Sequence, residues 1–268
     1  MRPTEHVLDM FAVPGDTEVV TGGVRAGDLV LSPGRDPHLQ EAVSPRLARL
    51  AVNLDMRPGR DPRDLRIAMP VPARDGSWVV DGWSATRFEP DAHQLTDLTA
   101  LRAVGAVLHA ELHAATTRSP ITHPTRDDRW AEAARVAFGE APLDVDAVGP
   151  DGREVLLALG SHRDATPLGP DQLVHGDLAR TVLLDAGGAP VVIDLSPYWR
   201  PALWAEAVVV LDSVLVLDAD AAVMSEWVSG AAGQAMTRAA LFRLLGDAPP
   251  DTGAHERALA PLLDSIRT

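Results

Sequence analysis

Val174-His175-Gly176-Asp177-Leu178, followed by Val191-Val192-Ile193-Asp194-Leu195, decides how this chain is read. Each is a short apolar segment that delivers an Asp at or just past a strand end, 17 positions apart from 177 to 194. Between them Val182-Leu183-Leu184 reads as a strand, and Asp185-Ala186-Gly187-Gly188 as a hairpin turn rather than a phosphate cradle. A loop, a hairpin and a second loop in this order can aim both carboxylates into one cleft. There one Asp orients or deprotonates a hydroxyl and the other holds Mg²⁺ on a nucleotide.

Composition narrows the classes around that pair. The chain has 268 residues, 46% of them hydrophobic, enough to bury a sizeable core in one two-lobed domain or two small ones. Its formal net charge of −14 argues against a nucleic-acid partner, because phosphate backbones require a basic face. Without Cys there is neither a disulfide framework nor a thiolate metal site. Met1–Met10 is polar and lacks the apolar centre of a signal peptide. The longest apolar run, Ala202–Met224, carries Glu206, Asp212, Asp218 and Asp220, which suits a buried core helix and not a membrane span. A cytoplasmic protein is expected. All 24 basic residues are Arg; the chain has no Lys.

Residues 1–90 read as a β-rich lobe with one helix. Strands are expected at Thr17–Val20 and Asp28–Ser32 with turns at Gly22-Gly23 and Ala26-Gly27-Asp28, and edge strands at Ile67–Pro70 and Ser77–Val80. A helix over Pro37–Asn53 is expected to kink or break at Pro45. Asp81–Pro90 reads as a hinge. Residues 91–268 read as a helical lobe carrying both Asp loops. Its helices are expected from Leu95 to Leu112, Arg126 to Phe138, Asp151 to Leu159, Pro201 to Leu217, Ala221 to Ser229, Ala235 to Leu245 and His255 to Ile266. The fold class is α+β.

His175-Gly176-Asp177 with Ile193-Asp194 resembles the catalytic-loop and metal-loop pair of the aminoglycoside phosphotransferase and choline kinase superfamily, which has a protein-kinase-like fold. The resemblance continues through Ser196-Pro197-Tyr198-Trp199-Arg200-Pro201 and back through Asp127-Asp128-Arg129-Trp130 to Glu140. In those stretches the chain is similar to an actinobacterial family of that superfamily without an established activity. The resemblance implies a two-lobed fold, Asp177 beside the acceptor hydroxyl, His175 as a scaffold of its loop and Asp194 as a metal ligand. It also implies Mg²⁺ and ATP as cofactors, with Thr181 where the family places a second metal-binding residue, an Asn. The glycine-rich phosphate loop falls on Gly22 and Gly23, followed by Arg25, and the phosphate-binding Lys falls on Ser32.

Several positions depart from the family pattern. The glycine-rich segment is short, Ser32 and Thr181 replace a Lys and an Asn, and only Arg25, Arg35, Arg46 or Arg180 could supply the missing cation. A planar guanidinium does not replace an ammonium point charge equivalently. Two readings stay open. One is an atypical phosphotransferase acting on a hydroxyl of a small molecule or peptide. The other is a pseudokinase that binds a ligand or protein partner, or reuses the cleft for chemistry without ATP. Trp199 and Arg200 either wall an acceptor pocket or are a packed Trp with a capping Arg. His109 and His113, at i and i+4, read as core or interface His before a zinc pair.

Overall fold

Residues 1–118, 126–247 and 250–267 are described in a computed structural model. The elements begin with α1 (Glu5–Met10), β1 (Thr17–Val20), β2 (Gly23–Ala26), β3 (Leu29–Ser32), α2 (Pro37–Asp55), β4 (Arg66–Ile67), β5 (Pro70–Val71), β6 (Ser84–Arg87), β7 (His93–Gln94) and α3 (Leu98–Arg118). There follow α4 (Arg129–Ala137), α5 (Arg153–His162), β8 (Asp171–His175), β9 (Val182–Leu184), β10 (Pro190–Val192), β11 (Pro197–Pro201), α6 (Ala202–Val216), α7 (Gly230–Gly246) and α8 (Thr252–Arg267). The chain divides into two compact units. The first holds everything up to Leu95, the second half of α3, and the segment Arg180–Pro197 with β9 and β10; the second holds the rest.

In the first unit, five strands form an antiparallel sheet in the order β1-β2-β3-β6-β5. Alternation explains the inner strands: Val24 and Ala26 of β2 and Leu29 and Leu31 of β3 are buried, and they pack with Val7, Phe11, Trp83 and Ala85. A smaller sheet runs β4-β10-β9-β7, with β10 parallel to β4 and antiparallel to β9. Asp185 closes the β9–β10 hairpin, accepting hydrogen bonds from the Gly187 and Ala189 amides. That turn is the one expected from sequence.

Three local expectations are corrected. Ser77–Val80 is no strand, because Asp75 takes the Ser77 amide and hydroxyl and tightens the turn. The strand is β6, inside the expected hinge, held by ladders to β3 on one side and β5 on the other. Its sequence Ser84-Ala85-Thr86-Arg87 is too polar to announce a strand; cross-strand pairing decides it. Pro45 does not break α2, which runs unbroken from Pro37 to Asp55. Its buried stripe Leu39, Val43, Leu47, Leu50 and Leu54 outweighs the lost amide bond, and the Arg46 guanidinium donates to the Ala42 carbonyl in the weakened turn. Finally, Ala221–Trp227 is a 3₁₀ helix and not an α-helix.

The second unit is helical. Its core is α6 and α7, with α4, α5 and α8 packed on α7. The fully buried Trp204 and Phe242 meet edge to face at 5.2 Å, and Tyr198 lies against both rings. Edge-to-face pairs add roughly 0.5–1.5 kcal/mol beyond the area they bury. β8 and β11 form a two-stranded sheet, and β8 packs on α6, so the loop after β8 is seated on the core. An antiparallel sheet unit and a helical unit make up the α+β fold. Among the described residues, no helix is long and apolar enough to cross a membrane.

The tightest backbone approach in the first unit is at Gly23, where a Cβ would lie 2.2 Å from the Leu31 carbonyl oxygen of the neighbouring strand. Backbone cannot yield as a side chain does. Gly23→Ala is therefore expected to lower stability by about 1–3 kcal/mol, read as a drop in the urea midpoint at unchanged m-value.

Candidate functional site

β1 and β2 are joined by a two-residue turn, Thr21-Gly22, in which Gly22 has φ of 84°, a conformation that favours glycine. This hairpin tip, the ends of β3 and β6, the segment from Phe88 to Gln94 and the end of β10 enclose a cavity of about 360 Å³. Val30, Leu183 and Ile193 give it apolar walls, and Ser32 and Asp194 a polar end. Glu89, on the wall, is held by Arg66, which also reaches Asp185. Asp91 takes φ of 57°, an uncommon conformation for a residue with a Cβ, at the same wall.

Ser32 does not mimic the lysine it replaces. Its side chain is buried, and its hydroxyl donates to the Gly22 carbonyl at 2.8 Å, locking the hairpin tip to β3. The cation arrives three residues later. Arg35 donates from Nη2 to Asp194 Oδ2 at 2.8 Å, with both side chains mostly out of solvent. Its backbone amide is tied to the Gly82 carbonyl, which anchors the segment after β3. The other candidate cations lie elsewhere. Arg25 stacks on the Phe88 ring at 4.2 Å and bonds the Gly27 carbonyl; it does not line the cavity. Arg46 serves its own helix, and Arg180 is exposed on the 3₁₀ turn before β9. Glu41 accepts from the Trp78 amide.

In the second unit, β8 ends on His175 and the loop that follows carries Asp177. His175 is fully buried, and its Nδ1 accepts the Asp177 amide at 3.0 Å. The imidazole therefore shapes the loop. Gly176 allows this path, since a Cβ there would lie 2.4 Å from the Tyr198 ring. Burial raises the Tyr198 hydroxyl to a pKa of about 12, partly offset by the nearby Arg126.

The Asp177 carboxylate accepts from Arg243 Nη2 at 2.7 Å, and the same guanidinium bonds the Gly176 carbonyl and, on its inner side, Asp212. Asp212 is fully buried and Arg243 nearly so. Burial of Arg243 opposes its charge, but Asp212 and Asp177 outweigh that and hold its pKa above the ordinary guanidinium value. The sequence marks Asp212 only as a carboxylate on an apolar helix, and sequence reasoning misses Arg243. A signal exists all the same: an acid and a base, each inside an apolar helical run, require partners.

The remaining positions have other roles. Thr181 is buried, and its carbonyl accepts the Ile193 amide. Arg200 makes a two-pronged ion pair with Glu140 at 2.6 and 2.7 Å and stacks on Phe138 at 4.3 Å, so its charge is already met; Trp199 precedes it in β11 and is half-buried. Glu206 pairs with Arg102. His109 is buried, and among the described residues no three His, Cys, Asp or Glu groups cluster to hold a metal. The fold thus gathers Gly22, Ser32 and Asp194 at one cavity in the first unit. It gathers His175 and Asp177 where β8 runs into its loop in the second, and leaves Arg25 and Arg200 engaged elsewhere.

These residues fit Mg²⁺ poorly. Of the three carboxylates that line the cavity, Asp194 is held by the Arg35 guanidinium and Glu89 by Arg66. Thr181 offers a hydroxyl where an amide carbonyl would be the better hard-ion donor.

The fold has solved counterparts. Over all of this chain and 96% of its own, an aminoglycoside phosphotransferase from Alicyclobacillus acidocaldarius subsp. acidocaldarius DSM 446 superposes with a TM-score of 0.52 at 14% identity. A choline/ethanolamine kinase family protein from Mesorhizobium loti aligns over 97% of both chains with a TM-score of 0.46 at 18% identity. The first of these likenesses establishes a protein-kinase-like fold. No protein-family profile and no curated protein matches the sequence.

The buried triad makes a stability prediction. Asp212→Leu strands Arg243 in the core and is expected to cost about 3–5 kcal/mol. Combining it with Arg243→Met is expected to recover most of that loss, since an apolar pair replaces the ion pair. Urea unfolding of the two single variants and the double variant checks it: a double variant as unstable as the sum of the singles contradicts the coupling.

Proposed function

We propose that this protein binds a purine nucleoside triphosphate in the first unit's cavity. On this reading it acts as an atypical phosphotransferase, passing the terminal phosphoryl group to a hydroxyl of a small molecule or peptide. The observation that carries the reading is Arg35 beside Asp194. It sets against the cavity-lining Asp194 a positive charge that Ser32 cannot supply, although Arg35 itself is not part of the lining. Val30, Leu183 and Ile193 suit the base, and the solved neighbour of like fold is named a phosphotransferase. Asp177, oriented by Arg243, is assigned to the acceptor hydroxyl, which it aligns by accepting a hydrogen bond. His175 is assigned to holding the loop.

A second reading is favoured by a specific observation. Both loop carboxylates are already engaged by arginines, Asp194 by Arg35 and Asp177 by Arg243. A pseudokinase, binding nucleotide without turnover and presenting a surface to a ligand or protein partner, suits such neutralised groups.

Thermal unfolding tests the shared premise. ATP at about 100 times its Kd adds about 2.7 kcal/mol to the stability of the folded state, and is expected to raise Tm by about 5 °C or more. Val30→Trp, which fills the cavity, is expected to abolish the shift while remaining folded. A wild type that does not respond to millimolar nucleotide contradicts the reading. Given a shift, ADP formation in the presence of hydroxyl-bearing acceptors separates the two alternatives. Transfer that is lost in Asp177→Asn while binding persists supports the phosphotransferase; binding without turnover supports the pseudokinase.

A further inference from the structure

We infer that Arg35 is a built-in counterion that lets this cavity take a nucleotide di- or triphosphate without a divalent metal. The inference rests on the nucleotide reading of the cavity and specifies how the phosphates are tolerated there.

A triphosphate placed beside an ionised Asp194 meets like charge, and in a site mostly out of solvent that repulsion is little screened. A bound divalent ion would cancel it. Here the cancellation is already made: Arg35 holds Asp194 at 2.8 Å, with the two side chains 18% and 27% exposed. For a metal to take that carboxylate oxygen it would have to displace a partly buried guanidinium, which would then lose its countercharge. Thr181 offers no compensating amide oxygen.

The pair also retains donor capacity. Arg35 Nε is buried and has no hydrogen-bond acceptor among the described residues. A buried guanidinium N–H without an acceptor costs free energy, so Arg35 is held in place by its charge on Asp194 and not by a full set of hydrogen bonds. The other acids of the cavity wall are Glu89 and Asp91. Glu89 is engaged by Arg66, and no acid cluster of metal-holding size is found among the described residues.

The test is nucleotide affinity by calorimetry on the full chain, with ADP and ATP, in EDTA and again in Mg²⁺. The expected result is a Kd within about threefold between the two conditions, where each tenfold corresponds to about 1.4 kcal/mol. Arg35→Gln is expected to weaken metal-free binding about 10- to 100-fold, the worth of one charge-assisted contact, and to restore a dependence on Mg²⁺. Asp194→Asn provides a second variant should Arg35→Gln fail to fold. It leaves the guanidinium without its partner and is expected to tighten metal-free binding, whereas a metal ligand at this position would lose binding on the same substitution.

Binding by the wild type only in Mg²⁺ overturns the inference and leaves the nucleotide reading standing. Metal-free binding that is unchanged in Arg35→Gln, or lost in Asp194→Asn, overturns the role of Arg35. Absence of binding under both conditions removes the nucleotide reading and the inference with it.

Discussion

A carboxylate taken out of water must be met by positive charge or by hydrogen-bond donors, or it will not stay ionised. In a chain whose 24 basic residues are all arginine, that partner is a planar guanidinium fixed by its own packing. Arg243 is the fullest case. One side chain buried between α6 and the loop after β8 answers Asp212 on one side and Asp177 on the other. Trp130 and Phe242 place their rings within 5.3 Å of it. The loop that carries Asp177 is thus tied to the helical core through a charge, and His175 and Tyr198 fix the rest of its path. Take the guanidinium away and Asp212 is left buried without a countercharge, a cost of several kcal/mol.

The same principle acts at Asp194 with a different consequence. Arg35 and Asp194 are only partly buried, so their pairing contributes less to stability than the Arg243 triad does. Its effect falls on the character of the cavity. With Asp194 neutralised, the polar end of the slot ceases to be an anionic wall. The first unit thereby differs from a site that depends on metal to admit phosphates. Arg66 repeats the pattern by bonding Glu89, a residue of the cavity wall, and Asp185. Charge in this protein is balanced locally, although the whole chain is strongly acidic.

Much of the fold was legible because its signals were long or chemically specific. The helical stripe expected from Leu95 to Leu112, which begins at Leu98 in the structure, and that through α6 could be read directly, and so could the Asp185-to-Gly188 turn and the two Asp-bearing loops. β6 was not legible, since its polar residues form a central strand only because β3 and β5 flank it. At Pro45 the helical spacing of Leu39, Val43, Leu47 and Leu50 is visible in the sequence, but not that its burial outweighs a proline penalty of about 3 kcal/mol. In the site, Asp177 and Asp194 stand out at the ends of short apolar segments, whereas His175 and Ser32 are pointed to by the family resemblance. The identity of the partner arginines is given by neither. Arg35 stood among four candidates and was selected by the turn after β3, while Arg243 lies 66 residues from Asp177, a separation no local pattern spans.

The central claim is that a nucleotide lies in the first unit's cavity, against the residue preceding Asp194. Isoleucine δ1-methyl NMR tests it most directly, because the chain has only four isoleucines, at 67, 121, 193 and 266. Ile193 lines the cavity, and Ile266 lies in the helical unit on α8. Titration with ADP is predicted to move the Ile193 methyl resonance strongly, through the ring current of the base, and to leave Ile266 in place. An Ile193 resonance that stays fixed under saturating ADP, or shifts no more than that of Ile266, would contradict the account.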